Sequence, residues 1–211
     1  MKIGIFGGAF NPVHNGHLIL IDNLSRLPMP PDMQVLDKFL IVPTAEPPHR
    51  SGAQFAPGKD RLHMLKLALE NNAVFHPKVS YKKLEISDIE FTLEGKSYTY
   101  RTLTALKALY PHDEFYLFMG SDQLLNFRTW YQYQKIMKMA HIIGFSRCEA
   151  DNEKIRRFLS ENADLGANIV IAEPFEISSS VIRERIQRGE SIDALVPPAV
   201  AAYIKENALY V

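Results

Sequence analysis

The sequence has no excess charge of either sign: 24 lysines and arginines are matched by 24 aspartates and glutamates over 211 residues. No whole-molecule field is available to draw in a nucleic acid or an acidic membrane, so any phosphate binding must be local. Cysteine is nearly absent. Cys148 stands alone, which excludes an internal disulfide, fits a reducing compartment and leaves this thiol as a small buried apolar residue. Long apolar runs are missing too. Glycines and histidines break the first apolar stretch within a few residues, and no segment has the length and apolarity of a signal peptide core or a bilayer span. Repeats, heptads and low-complexity tracts are also lacking. These absences leave a cytoplasmic protein, 46% hydrophobic and able to bury a sizeable core.

Apolar runs of strand length follow one another along the chain: "KIGIFGG", "KFLIVP", "VSYKKLEI", "EFYLFMG", "HIIGF" and "NIVIAEP". Between them lie stretches with helical spacing, among them "GHLILIDNLSRL", "DRLHMLKLALE", "SYTYRTLTALKALY" and "NEKIRRFLSEN". Strands alternating with helices predict an α/β fold, a doubly wound and mostly parallel sheet covered on both faces. "RLPMPPDMQ" and "EPPHRSGAQFAPG" lack either period and read as loops, the second long enough to act as a lid over residues 44–58. At the far end, "LVPPAVAAYIKENALYV" offers proline at a helix start with Val200, Tyr203 and Ile204 on one face. The C-terminal part can complete the same sheet, so residues 1–211 read as one domain.

The stretch "GIFGGAFNPVHNGHL", residues 4–18, places a glycine-rich strand-to-helix loop at the start of the sheet. Such a loop ends at a helix N-terminus, where backbone N–H groups and the helix dipole favour an anion. It is neither a Walker loop nor the dinucleotide fingerprint, since no Gly-Lys-Ser/Thr follows and Phe6 breaks G-x-G-x-x-G. His14 and His17 flank Gly16 at the mouth of the helix, so both imidazoles can face one anion. Neither cysteine nor glutamate stands at H-E-x-x-H spacing, which favours phosphate over a metal. At the other end of the chain, "EISSSVIRERIQRG" places serines at a helix start. With Ser180 as N-cap, Arg183 takes the position three residues later where a capping box has glutamate, and a bound anion would resolve the conflict with the dipole.

"GGAFNPVHNGHL" resembles the H-x-G-H signature of the nucleotidyltransferase superfamily, and Ile177, Ser178, Ser179, Ile182 and Arg183 resemble its I-S-S-T-x-I-R motif. The resemblance implies a Rossmann-like nucleotidyltransferase fold in which His14 and His17 stabilise the α-phosphate of ATP. It implies that Gly7, Gly8, Ala9 and Phe10 line the ATP site, and that Ser179, Ser180 and Arg183 hold the β- and γ-phosphates. Ala9 and Asn11 depart from the threonine or serine and the aspartate of most members, so Ala9 can contribute only its backbone. "MGSDQLLNF" is similar to the superfamily's G-x-D segment, which gives Gly120 and Asp122 the ribose.

"GKSYTYRTL", "VPTAEPPHR" and the spacing from Asp122 to Trp130 narrow the resemblance to the bacterial nicotinate-nucleotide adenylyltransferase family. That family implies stacking of Trp130 on the pyridine ring and reading of its carboxylate by backbone amides near Thr99 and Tyr131. His49 and Arg50, the latter a lysine in related enzymes, would serve the mononucleotide phosphate. Mg²⁺ would come bound to substrate phosphates, with no metal site of the protein's own. Three enzyme alternatives remain: nicotinamide mononucleotide as acceptor, phosphopantetheine adenylyltransferase and the small cytidylyltransferases. A non-catalytic nucleotide sensor is the alternative outside enzymes, and a homo-oligomer is compatible with the sequence.

Overall fold

In a computed structural model the chain is described over residues 1–29, 34–48, 55–70, 84–146, 149–171 and 177–211. His49, Arg50 and Cys148 lie outside the described residues. The main sheet holds β1 (Lys2–Gly8), β4 (Lys38–Pro43), β5 (Leu84–Ile86), β6 (Glu114–Gly120), β7 (His141–Ser146) and β8 (Asn168–Ile171). Its order is β5-β4-β1-β6-β7-β8, and every neighbouring pair is parallel. The chain steps from β1 to β4 and β5 on one side and then crosses to β6 on the other. That reversal at β1 opens a crevice beyond the C-terminal ends of β1 and β6, the usual ligand position of doubly wound sheets.

Alternation along each strand splits the core between the two faces. Phe6, Phe39, Ile41, Tyr116, Phe118, Ile143 and Phe145 point to one side, where they meet α1 (Asn15–Arg26), α2 (Gly58–Glu70), α7 (Ser179–Gln187) and α8 (Pro198–Glu206). Ile3, Ile5, Leu40, Val42, Phe115, Leu117 and Met119 point to the other. There α3 (Thr99–Leu109), α4 (Ser121–Leu125), α5 (Tyr133–Met139) and α6 (Glu149–Glu161) cover them. Each fully buried aliphatic or aromatic side chain contributes about 1.5–3 kcal/mol.

The segment expected to be wholly loop contains a short antiparallel pair, β2 (Pro28–Met29) with β3 (Gln34–Val35). The fully buried Met29 anchors it, an apolar contact that proline-rich composition does not reveal. Of "VSYKKLEI", only residues 84–86 of the strand are described. Gly4, within β1, is fixed by packing. A Cβ there would sit 2.6 Å from both Leu36 Cδ1 and Phe39 Cδ2, under rings that are themselves in contact. Gly4→Ala is therefore expected to lower stability by about 1–3 kcal/mol. A thermal melt should show a drop of roughly 2–4 °C for each kcal/mol, and an unchanged Tm would show that the rings yield freely.

Candidate active site

Three parallel strands end side by side at the crevice, with Gly8 of β1 paired to Pro43 of β4 and Gly120 closing β6 on the far side. Gly8 leaves room for the neighbouring ring: a Cβ would meet Phe10 at 3.1 Å and press on it. Phe10 has φ 47° and is 1% exposed, packed edge-on to Phe6 and His17. Its side chain is thus a plug under the loop, and only its main chain can face a ligand. The Asn11–Pro12 peptide that follows is cis.

His14 is the N-cap of α1, its Nδ1 accepting the His17 N–H at 3.3 Å. With Nδ1 an acceptor, a neutral His14 carries its proton on Nε2. The two imidazoles stack with centroids 3.7 Å apart, so both stand at one point of the helix mouth. That mouth is more occupied than its glycines suggest. The Asn15 N–H donates to the Leu195 carbonyl and the His17 N–H is held by His14. The imidazoles and the preceding loop are thus the groups at this mouth able to meet an anion.

Ser178, not Ser180, caps α7, its hydroxyl accepting from the Val181 N–H. Arg183 consequently lies beyond the first turn rather than at the capping-box position. The reason is geometric: the chain turns helical two residues earlier than Ser180 as cap requires. What places Arg183 is a tertiary contact. Its Nη1 donates to the Asn11 carbonyl at 2.7 Å and its Nη2 to Ser180 Oγ at 3.2 Å. Ser179 Oγ donates to the Pro12 carbonyl at 2.9 Å. The two distant motifs thus close on each other, Ser179 and Arg183 gripping the residues just before His14.

Asp122 is exposed in the first turn of α4, whose N-cap is Gly120, and its Oδ2 accepts from Gln123. Trp130 is half-buried, lying edge-on to Phe127 with centroids 5.5 Å apart. Tyr131 is 51% exposed and packs its ring on Tyr98 at 4.9 Å, which brings the Thr99 and Trp130 segments together. The connection after β4 reaches the same place through paired bonds between Glu46 and Ser97. Among the described residues no cluster of His, Cys, Asp or Glu gathers to hold a metal.

A match to the cytidylyltransferase-like family model extends over residues 5–185. The chain belongs to that family. It is 36% identical over 209 residues to a probable nicotinate-nucleotide adenylyltransferase of Geobacillus thermodenitrificans, covering 99% of this chain and 86% of that one. A second, from a Synechococcus species, is 36% identical over 99% of this chain and 94% of its own length. The chain is therefore a member of the nicotinate-nucleotide adenylyltransferases within the cytidylyltransferase-like family. The fold is shared with the nicotinic acid mononucleotide adenylyltransferase of Plasmodium falciparum complexed with NaAD. That structure has a TM-score of 0.76 at 22% identity, covering 99% of this chain and 97% of that one.

Three residues that shape the site, Arg61, Glu90 and Tyr210, escaped the sequence reading, and the part played by a fourth, Asn11, is supplied by the structure. Arg61 is fully buried and bonded to main-chain carbonyls of both site loops. Its signal was present: it stands at the head of the stripe Arg61, Met64, Leu65, Ala68, a cation where the helix period calls for an apolar residue. Glu90 is 8% exposed, taking the Ala45 N–H on one oxygen and the Thr102 hydroxyl on the other. Asn11 Oδ1 accepts from both the Ala56 N–H and the Tyr210 hydroxyl. No local pattern marks Glu90 or Tyr210, because their partners are remote in sequence.

Burial holds the Tyr210 hydroxyl well above the ordinary tyrosine range, against the opposite pull of the Arg61 and Arg183 guanidiniums. The folded state thus prefers the protonated phenol. Its contribution is complete below about pH 10 and declines as pH rises beyond it. Tyr210→Phe is expected to cost about 1 kcal/mol at neutral pH and to flatten the alkaline fall of Tm. Thermal melts stepped from neutral to strongly alkaline pH check this; equal slopes in both proteins would assign the fall to other groups.

Proposed function

We propose that this chain joins ATP and nicotinate mononucleotide to give deamido-NAD and pyrophosphate, with residues 1–211 working as one nucleotidyltransferase domain in the cytoplasm. The single observation that carries the reading is the closure of the Arg183 motif onto the His14 loop, 172 residues away along the chain. The membership of the chain in the nicotinate-nucleotide adenylyltransferases supplies the substrates. No helix among the described residues is long and apolar enough to cross a membrane.

A 5′-phosphate oxygen of the mononucleotide attacks the α-phosphorus of ATP. One P–O bond forms there as the bond to the β-phosphate bridging oxygen breaks, and pyrophosphate leaves with the electron pair. The attacking phosphate is already largely ionised at neutral pH, so no general base is needed. Mg²⁺ arrives with ATP on its phosphate oxygens. Catalysis rests on aligning two polyanions and neutralising the charge that builds between them.

His14 and His17 take the α-phosphate, aided by the backbone of Gly7, Gly8, Ala9 and Phe10. A guanidinium has five N–H donors, so Arg183 can keep its bonds to Asn11 and Ser180 and still hold the leaving pyrophosphate, with Ser179 and Ser180 beside it. Gly120 and Asp122 face the ribose. Trp130 supplies a flat surface for the cationic pyridinium, a cation–π contact of about 0.5–2 kcal/mol, while amides near Thr99 and Tyr131 read its carboxylate. His49 and Arg50 serve the acceptor phosphate.

Pyrophosphate release from ATP with each pyridine mononucleotide in turn tests the reading, with nicotinate mononucleotide expected to be the faster acceptor. Phosphopantetheine in the same assay is expected to give none. His17→Ala should keep its circular dichroism and lose roughly 100-fold or more in turnover, the size of effect seen when an oxyanion donor is removed. Near-normal turnover in that folded variant would remove the histidine pair from the mechanism.

A further inference from the structure

We infer that Arg61 is a positioning residue that locks the phosphate loop after β1 and the connection after β4 into one unit, so that ATP and the acceptor meet in register. The inference rests on the adenylyl-transfer reading above and adds a residue that never touches substrate.

Arg61 has no exposed surface. A buried guanidinium is tolerable only where its N–H groups are bonded. Its acceptors are main-chain carbonyls from three stretches of chain. Nε donates to Ala56 at 3.0 Å, Nη1 to both Ala9 at 2.7 Å and Thr44 at 2.6 Å, and Nη2 to Ala45 at 2.9 Å. The Phe55 ring lies 4.7 Å from its central carbon. Ala9 belongs to the glycine loop. Thr44 and Ala45 open the connection that continues into "EPPHR", and Ala56 lies near its close.

A trans peptide points its C=O and N–H in opposite directions. By drawing the Ala9 carbonyl inward, Arg61 turns the Phe10 N–H of the same peptide plane away from the core. The same rule accounts for the other loop. With the Thr44 and Ala45 carbonyls held by Arg61, the Ala45 N–H reaches Glu90 and the Glu46 N–H reaches Ser97, two residues before Thr99. One rigid fork thereby orients peptide planes on the ATP side and on the acceptor side together. Lysine cannot reproduce this, being a point charge without a planar fork. The seat is also fitted to glycine. A Cβ on Gly58 would lie 3.4 Å from Nη2, 3.3 Å from the Ala45 carbonyl and 2.9 Å from the Phe91 ring.

The test compares Arg61→Lys with Ile155→Ala, a core variant on α6 remote from both loops and chosen to lose a similar amount of Tm. Arg61→Lys is expected to lose about 100-fold in kcat, the cost of a small misalignment, with both KM values moving far less. Ile155→Ala should keep its kcat. Hydrogen exchange supplies a readout independent of turnover: amides of residues 9–11 and 44–46 should exchange faster together in Arg61→Lys, while those of β7 hold. If Arg61→Lys does not fold, Gly58→Ala crowds the guanidinium with Arg61 in place and should shift exchange in both loops in the same direction. Wild-type kcat in Arg61→Lys, or exchange that rises in one loop only, overturns the inference. Absence of pyrophosphate release from the wild type would instead overturn adenylyl transfer, and the exchange pattern would still decide whether Arg61 couples the loops.

Discussion

The 2.7 Å bond from the Arg183 guanidinium to the Asn11 carbonyl is the contact on which the site depends. A loop that receives an anion must turn N–H groups outward, and its carbonyls then need partners behind it. Arg183 takes Asn11, Arg61 takes Ala9 and Ser179 takes Pro12. Two guanidiniums and a hydroxyl thus hold the carbonyls of the loop, which leads directly into the imidazole pair at the start of α1. The charge-assisted bonds are stronger than neutral ones, which suits a loop that contains a positive-φ phenylalanine and must keep its shape.

The sheet supplies the frame for this arrangement. Because β1 sits between β4 and β6, the loop that follows it lies at the reversal of strand order, with room on both sides for a ligand. One side of the crevice is bounded by Gly120 and Asp122 after β6 and the other by the connection after β4. Glu90, Ser97 and the Tyr98–Tyr131 ring contact carry that second side across to Trp130. The site is therefore assembled from strand ends, while α2 and α8 brace it from behind through Arg61 and the Tyr203 to Asp60 bond.

Much of this was legible in the sequence. The alternation of apolar runs with helical periods predicts the parallel sheet, since a strand buried on both faces must be apolar along its length. The histidine pair and the Ser-Ser-Ser-x-x-Arg stretch each stand out locally, and each belongs to a strand-to-helix junction. Other features misled local reading. Ser178 replaces Ser180 as cap, and the first-turn donors of α1 are partly taken by Leu195 and His14. The Leu195 carbonyl is contributed by a remote segment, whereas the Ser178 and His14 caps are local bonds among several candidate groups.

The sequence by itself determined the fold class and the two strand-to-helix motifs, because periodicity and glycine placement are properties of neighbouring residues. Only the tertiary structure decided that the motifs face each other, that Phe10 plugs the loop from below, and that Arg61, Glu90, Asn11 and Tyr210 hold the site together. Buried polar groups must find partners wherever the folded chain offers them, and those partners can lie most of the chain's length away, beyond the reach of any local pattern.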